Sequence, residues 1–135
     1  MIFMEISATD PFEHGKQDLG CHISAMIGLT GGFSAMLAIH CPKTVGLAIA
    51  GAMLDMEIEE IDADVKDALG EIANMIAGGL KEKFAAEDIN LELSIPTAIS
   101  GKSYTIASPK RSNRVIIPFN VETGQFFIEM KYNLN

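Results

Sequence analysis

The residues best suited to chemistry in this sequence are a carboxylate and a carboxamide three positions apart, Glu71 and Asn74, with Asp67 four positions before the carboxylate. Residues three and four apart are neighbours on the surface of a helix. A carboxamide can accept a hydrogen bond from water and donate another elsewhere without titrating, so it can orient a water molecule without a change of charge. If this segment is helical and exposed, the three side chains form one polar patch that can act on another molecule.

Hydrophobic periodicity over residues 64–84 predicts the required helix. At about 100° per residue, one stripe gathers the apolar side chains that would pack on a sheet. These are Val65, Leu69, Ile72, Ala73, Ile76, Leu80 and Phe84. The opposite side gathers Asp67, Glu71, Asn74, Gly78 and Lys81. We therefore predict a helix from near Asp62 to about Phe84, with the acid and the amide on its solvent side.

The composition of this outer face lowers the stability of the helix. Two like charges four positions apart cost an isolated helix a few tenths of a kcal/mol, and a glycine inside a helix costs about 1 kcal/mol relative to alanine. The helix contains three such glycines, Gly70, Gly78 and Gly79. One interpretation is a flat surface that the backbone of a partner protein can approach closely. The other, which the pattern alone favours, is an ordinary solvated face whose glycines serve internal packing.

Strands are predicted before the first helix. Residues 1–8 indicate a strand, and a polar connection follows it. The apolar segments 21–30 and 33–41 are separated by Gly31-Gly32. This pair suits a two-residue hairpin turn, because glycine tolerates positive φ.

Two helices and a second group of strands complete the predicted order. A largely apolar helix follows Pro42 in the segment KTVGLAIAGAML, and an acidic connection joins it to the long helix. Later strands are predicted in LELSI, SYTIA, RVIIPFN and QFFIEMKYN, the last two joined by a turn at residues 121–124. Because hairpins dominate, we predict an α+β fold with two helices packed on one face of an antiparallel sheet. We expect residues 1–135 to form a single domain.

The composition limits the partners of the chain. Its formal net charge is -8 and its pI is about 4.7, which disfavours both nucleic acid and an anionic membrane surface. The pattern of a signal peptide is missing, and the longest apolar run, residues 45–54, is too short to span a bilayer. Two cysteines do not make a disulfide framework. We therefore expect a cytoplasmic protein that binds neither nucleic acid nor membrane.

Four side chains in the predicted hairpin could in principle bind zinc: Cys21, His22, His40 and Cys41. With a two-residue turn, strand alternation puts His22 and Cys41 on one face of the sheet. Cys21 and His40 then lie on the other face. Four ligands cannot converge from two faces, so we interpret them as ordinary strand residues.

Two further patterns do not indicate a site. The tripeptide at 101–103, Gly-Lys-Ser, is similar to the end of a phosphate-binding loop, but Pro96 occupies the position of the first glycine. A small basic cluster is interpreted as part of a solvated loop. It comprises Lys110, Arg111 and Arg114.

The run from Asp67 to Gly78, DALGEIANMIAG, resembles the signature of the CheC, CheX and FliY phosphatases. In that family an Asp is followed by three residues and a Glu, by two more and an Asn, and about twenty residues later by a Pro, for which Pro96 fits. The segments SAMIGLTG at 24–31 and LSIPT at 93–97 are similar to the family's strands before and after this helix. The signature occurs once, which is typical of the CheX branch.

The resemblance implies a phosphatase that hydrolyses the aspartyl phosphate of a CheY-like response-regulator receiver domain. Asn74 would orient the attacking water, and Glu71 would pair with a lysine of the receiver. Asp67 and Pro96 match positions that are treated as structural. Phosphoryl transfer of this kind relies on positioning and charge stabilisation rather than on covalent catalysis.

The resemblance also bears on cofactors and partners. The chain would need no cofactor of its own, because the receiver would supply Mg²⁺. CheX-like chains are homodimers, so a homodimer is expected; they usually begin with an additional helix, whereas residues 1–20 predict a strand and a loop. The alternative function is a non-catalytic module that binds receiver domains or a flagellar-switch component.

Overall fold

Apolar residues alternate along the strands of this chain and recur every three to four positions along its helices. The chain folds into one sheet and two helices. A computed structural model describes residues 7–8, 22–101 and 113–133. The strands are β1 (Ser7–Ala8), β2 (Ile23–Gly31), β3 (Ser34–Cys41), β4 (Leu91–Leu93), β5 (Thr97–Ser100), β6 (Asn113–Val121) and β7 (Gly124–Asn133). The helices are α1 (Lys43–Leu54) and α2 (Ala63–Ala85).

Strand pairings among the described residues are all antiparallel, and the order across the sheet is β1-β6-β7-β3-β2-β4. The seventh strand, β5, also pairs with β2 and follows β4 along the same edge. Both helices pack on one face of the sheet, with α2 over β2, β4 and β5 and with α1 against β3 and β7. The predicted α+β fold is therefore confirmed, as is the turn between β6 and β7, where Val121 pairs with Gly124.

Helix α2 begins and ends where the sequence predicts. Asp62 is its N-cap, because its Oδ1 accepts a hydrogen bond from the backbone N–H of Val65 at 3.0 Å. Asp64 in the first turn and Lys83 in the last turn have the charges that the helix dipole favours at each end. Val65 and Leu69 on the inner stripe are fully buried, so packing against the sheet fixes the rotation of the helix.

The hairpin between β2 and β3 has a longer turn than the predicted Gly31-Gly32 pair. Gly31 still belongs to β2, where it pairs with Leu91 at a φ of 130°. Phe33 turns into the core, and the centre of its ring lies 5.0 Å from that of Phe84. Phe33 therefore belongs to the turn, and the pairing of the two strands is shifted by one residue from the prediction.

The shifted register changes which side chains share a face of the sheet. Ile23 pairs with Cys41, and Ser24 pairs with His40. Cys41 therefore lies in the core under the helices, whereas His40 is buried on the opposite face. The predicted pairing of His22 with Cys41 is wrong, because that prediction assumed a two-residue turn.

Several predictions concern residues outside the described ranges. These are the strand over residues 1–6, the face occupied by Cys21, the strand in SYTIA, and the positions of Lys110 and Arg111. That the whole chain makes up a single domain stays a prediction. Within the described ranges, neither helix combines the length and the apolar character needed to span a bilayer.

Candidate functional site

The outer face of α2 carries both side chains that the sequence singled out. Glu71 is exposed and Asn74 is half-buried, while Ala73 and Ala77 on the inner side are buried. Asp67, one turn before Glu71, is exposed on the same face. The structure therefore brings the acid and the amide together at the solvent-facing surface of the helix.

Neither Glu71 nor Asn74 uses its side chain to stabilise the fold. Among the residues that the structure describes, no hydrogen bond or ion pair involves either side chain. Both keep their full capacity for hydrogen bonds to an incoming molecule: the carboxylate can only accept, and the carboxamide can both accept and donate.

The loop between β4 and β5 lies beside this pair. Pro96 packs next to Gly70, the residue before Glu71: a Cβ atom at Gly70 would lie 3.7 Å from the Cβ of Pro96, an ordinary contact distance. The proline that is distant in the sequence thus contacts the helix at the start of the polar patch. Pro96 is therefore a neighbour of the polar patch on α2, and the structural role that the resemblance implies for it stays a prediction.

Two hydrogen bonds to β2 hold the same loop in place. The backbone N–H of Ser94 donates to the carbonyl oxygen of Gly28 at 2.9 Å, and the N–H of Gly28 donates to the Oγ of Ser94 at 2.8 Å. Between Ser94 and Pro96, Ile95 is 87% exposed. The sequence predicted that Ile95 ends the strand LELSI, where alternation puts it on the same face as Leu91 and Leu93 and gives no sign of exposure.

Gly78 and Gly79 of α2 have no packing reason to be glycine. A Cβ atom at either position would meet no other atom within 4 Å. The interpretation that the glycines serve internal packing is therefore wrong for these two, and at Gly70 a Cβ atom would make only an ordinary contact with Pro96, so packing does not require a glycine there either. The surface next to Asn74 is flat because side chains are missing there, not because neighbouring elements fill the space.

A second polar cluster, which sequence reasoning missed, lies on the sheet face opposite the helices. Glu129 is 2% exposed, and its Oε1 accepts a hydrogen bond from the Nε2 of His40 at 2.8 Å. The Nε of Arg114 donates to the other carboxylate oxygen, and the Nζ of Lys131 lies 4.0 Å from Oε1. The Nδ1 of His40 lies 2.6 Å from the Oγ of Ser24.

This cluster corrects one interpretation of the sequence. Arg114 lies in β6 and binds Glu129 rather than forming part of a solvated loop, whereas His40 is a strand residue, as interpreted, that also hydrogen-bonds to Glu129. The available local signal was the single acid of the apolar strand QFFIEMK; alternation places Glu129 on the face opposite Phe126 and Ile128, and the burial of that face does not follow from the strand alone. Ser24 is fully buried, so its alignment with His40 and Glu129 gives a protein substrate no nucleophile to reach.

The electrostatics of Glu129 follow from its partners. Burial alone raises the pKa of this carboxyl, but the hydrogen bonds from His40 and Arg114 and the nearby positive charge of Lys131 outweigh it. The pKa of Glu129 therefore lies below its ordinary value, and the carboxylate stays ionised inside the protein. Burial also lowers the pKa of Lys131, against the attraction of Glu129.

The described part of the chain contains no group of three or more His, Cys, Asp and Glu side chains arranged to hold a metal ion. The source of any Mg²⁺ therefore stays a prediction. What the outer face of α2 can offer by itself is a charged acceptor and a neutral amide beside a flat surface.

Comparison with known proteins identifies the family. The family model described as "Chemotaxis phosphatase CheX" matches residues 23–120. The CheY-P phosphatase CheX of Thermotoga maritima is 32% identical over 101 residues, which are 70% of this chain and 65% of that protein. The chain thus spans slightly less than two thirds of the length of this relative.

Solved structures show the same fold over nearly the whole chain. The crystal structure of a chemotaxis protein CheX from Desulfovibrio desulfuricans is 27% identical, with a TM-score of 0.89, and the match covers 98% of this chain and 89% of that one. The CheX–CheY–BeF₃–Mg²⁺ complex from Borrelia burgdorferi is 20% identical, with a TM-score of 0.80 over 96% of this chain and 84% of that one, which shows the fold alone. On the family model and the shared fold, this chain belongs to the family of the chemotaxis phosphatase CheX.

Proposed function

We propose that this chain is a phosphatase that hydrolyses the aspartyl phosphate of a CheY-like receiver domain. The observation that carries the proposal is the exposed pair of Glu71 and Asn74 on α2, neither of which has a hydrogen-bond or ion-pair partner within the described residues. Membership of the CheX family supports it, as does the activity given in the name of the Thermotoga relative.

Asn74 is proposed as the residue that orients the attacking water. Its amide oxygen accepts a hydrogen bond from water and fixes the direction of the attacking lone pair toward phosphorus. The water oxygen then bonds to phosphorus as the bond from phosphorus to the aspartate oxygen breaks, which releases inorganic phosphate and a free aspartate carboxylate. Being half-buried, Asn74 has less rotational freedom than an exposed side chain, and that suits positioning.

Glu71 is proposed to fix the docking of the receiver. Its exposed carboxylate would pair with a lysine of the receiver and set the orientation in which Asn74 reaches the phosphoryl group. Mg²⁺ would be supplied by the receiver and would neutralise charge on the phosphoryl oxygens. The Borrelia complex contains CheY, BeF₃ and Mg²⁺ with a protein of this fold, which is consistent with such a partner.

The test uses phosphorylated CheY-type receiver domains from the source organism. The wild-type chain should accelerate the loss of phosphate, and Asn74→Ala should remove the acceleration while binding remains. Asn90→Ala, an exposed asparagine after the end of α2, is the matched control and should keep full activity. If wild type binds the receivers but leaves the rate of phosphate loss unchanged, the chain is the non-catalytic binding module instead.

We also propose that the protein acts in the cytoplasm as a homodimer, as its family resemblance implies. A cleft of about 530 Å³ between the helices and the β6–β7 half of the sheet has an entirely apolar lining. It is lined by Leu37, Ile39, Ile49, Ile72, Ile76, Leu80, Val115, Ile117, Phe119, Phe126, Ile128 and Met130. A second copy packed over this cleft would remove apolar surface from water.

Light scattering on the purified chain tests the dimer. The wild type should have the mass of two chains, and Ile117→Glu should shift it to one chain, because the half-buried Ile117 lines the cleft. If Ile117→Glu remains a dimer, the interface lies elsewhere on the protein. If the wild type has the mass of one chain, the proposed dimer is refuted.

A further inference from the structure

Two large apolar side chains, Ile95 and Met75, lie on either side of the acid–amide pair and are exposed. Ile95 is 87% exposed and Met75 is 58% exposed. On one side, Pro96 packs beside Gly70 and so brings the loop with Ile95 to that flank of α2. On the other side, Met75 follows Asn74 and points about 100° further round the helix. The pair lies between these two flanks.

Ile95 is held in its exposed position by its neighbours. Ser94 is bound to Gly28 by two hydrogen bonds, and Pro96 is packed against α2. A residue before proline is confined to extended backbone conformations, and the β-branched side chain of isoleucine has few rotamers. The chain therefore holds an apolar side chain in a fixed position at the surface, where another molecule can cover it.

We infer that Ile95 and Met75, called here the apolar rim, dock the receiver domain and hold its phosphoryl group within reach of Asn74. This inference rests on the proposed function. The exposed Glu71 can contribute little affinity by itself, because ion pairs in water are weak. Apolar contacts supply affinity instead, and a side chain that is already rigid loses little entropy on binding.

The rim defines the kind of receiver surface that fits. The receiver must present apolar side chains on both sides of the opening that leads to its phosphorylated aspartate. Ile95 and Met75 are positioning residues, since neither has a group that could act on the phosphoryl group. A receiver with charged residues opposite Ile95 and Met75 would bind weakly, so the apolar rim would determine which receivers bind.

Binding is measured first, so that docking is separated from hydrolysis. Each CheY-type receiver of the source organism is activated with beryllofluoride and Mg²⁺, which mimics the phosphorylated state without being hydrolysed. Ile95→Ala should raise the Kd of the receiver that binds wild type about tenfold, and Met75→Ala about threefold. Met36→Ala is the matched control. Met36 is 41% exposed but lies on the sheet face opposite the helices, so this variant should bind the activated receiver with the Kd of the wild type.

Steady-state hydrolysis then distinguishes docking from chemistry. Ile95→Ala should raise KM with kcat within about twofold of wild type, whereas Asn74→Ala should lower kcat and leave the Kd unchanged. A Kd for Ile95→Ala within twofold of wild type would overturn the inference, as would an equal rise for Met36→Ala. If the rim variants weaken binding but wild type does not hydrolyse the phosphate, the rim stands and the proposed phosphatase function falls.

Discussion

The outer face of α2 and the far face of the sheet carry similar polar groups in opposite situations. On α2, Glu71 and Asn74 lie at the surface and bind nothing within the described residues. On the far face of the sheet, Glu129 is buried and accepts hydrogen bonds from His40 and Arg114. A buried carboxylate without partners would destabilise the fold, whereas an exposed one costs almost nothing.

The difference between the two regions indicates which polar groups of this chain are available to a partner. The Glu129 cluster has its hydrogen bonds satisfied inside the protein, so its groups serve the fold and have little left for a substrate. The pair on α2 makes no hydrogen bond or ion pair within the described residues, so the free capacity of Glu71 and Asn74 is available to a partner. Substitutions in the two regions should therefore separate stability from activity.

The largest expected effect on stability comes from Glu129→Ala. The substitution removes the carboxylate that accepts hydrogen bonds from His40 and Arg114 and that lies 4.0 Å from the Nζ of Lys131, so Arg114 and Lys131 lose the negative charge beside them. The free energy of unfolding should fall by about 3–5 kcal/mol, measured by urea denaturation. Glu122→Ala in the exposed β6–β7 turn is the control and should change it by less than about 0.5 kcal/mol. Equal stabilities of the two variants would mean that the buried cluster does not hold the sheet together.

Asn74→Ala should show the opposite behaviour. We expect the rate of phosphate loss from the receiver to fall about 100-fold, on the scale of other losses of a positioning group. The free energy of unfolding should stay within about 0.5 kcal/mol of wild type, because no described residue bonds to this side chain. A melting temperature well below wild type would show that Asn74 belongs to the fold after all, and the comparison between the two faces would fail.

The pH dependence of stability sharpens the comparison further. The folded protein holds the pKa of Glu129 below its ordinary value of 4.5, because the hydrogen bonds and the positive neighbours outweigh burial. A depressed pKa stabilises the fold above the unfolded value, and this contribution is lost as the pH falls through the folded value. At pH 7 the free energy of unfolding of the wild type should exceed that of Glu129→Gln by about 2 kcal/mol, as expected for hydrogen bonds to a charged group. The gap, read from denaturation at several pH values, should narrow below pH 4.5; a gap that widens there would contradict the assigned direction.

How much could be predicted from sequence differs between the two regions for a physical reason. The rotation of α2 follows from a local pattern of large apolar side chains, so the exposure of Glu71 could be predicted without tertiary information. The Glu129 cluster joins strands β2, β3, β6 and β7: the β3–β7 and β6–β7 pairings bring together His40, Glu129 and Arg114, and the β2–β3 register adds Ser24. These pairings join segments that are far apart in the sequence, which no local pattern reveals. The exposure of Ile95 could not be predicted from the sequence either, because it follows from hydrogen bonds between distant segments.

The smallest expected effects concern two glycines on the outer face of α2, Gly78 beside Asn74 and Gly79 beside Met75. Gly78→Ala and Gly79→Ala should each raise the free energy of unfolding by about 0.5–1 kcal/mol, because alanine favours the helix and no atom lies within 4 Å of the new methyl group. Gly78 lies one turn after Asn74, and Gly79 lies one turn after Met75. Gly78→Ala should therefore also weaken binding of the activated receiver a few-fold, because its methyl group lies beside the acid–amide pair, and Gly79→Ala should weaken it less, because its methyl group lies beside the apolar rim. If both variants gain stability and bind like wild type, the flat surface beside Asn74 is not part of the docking face, and the affinity must come from the apolar rim.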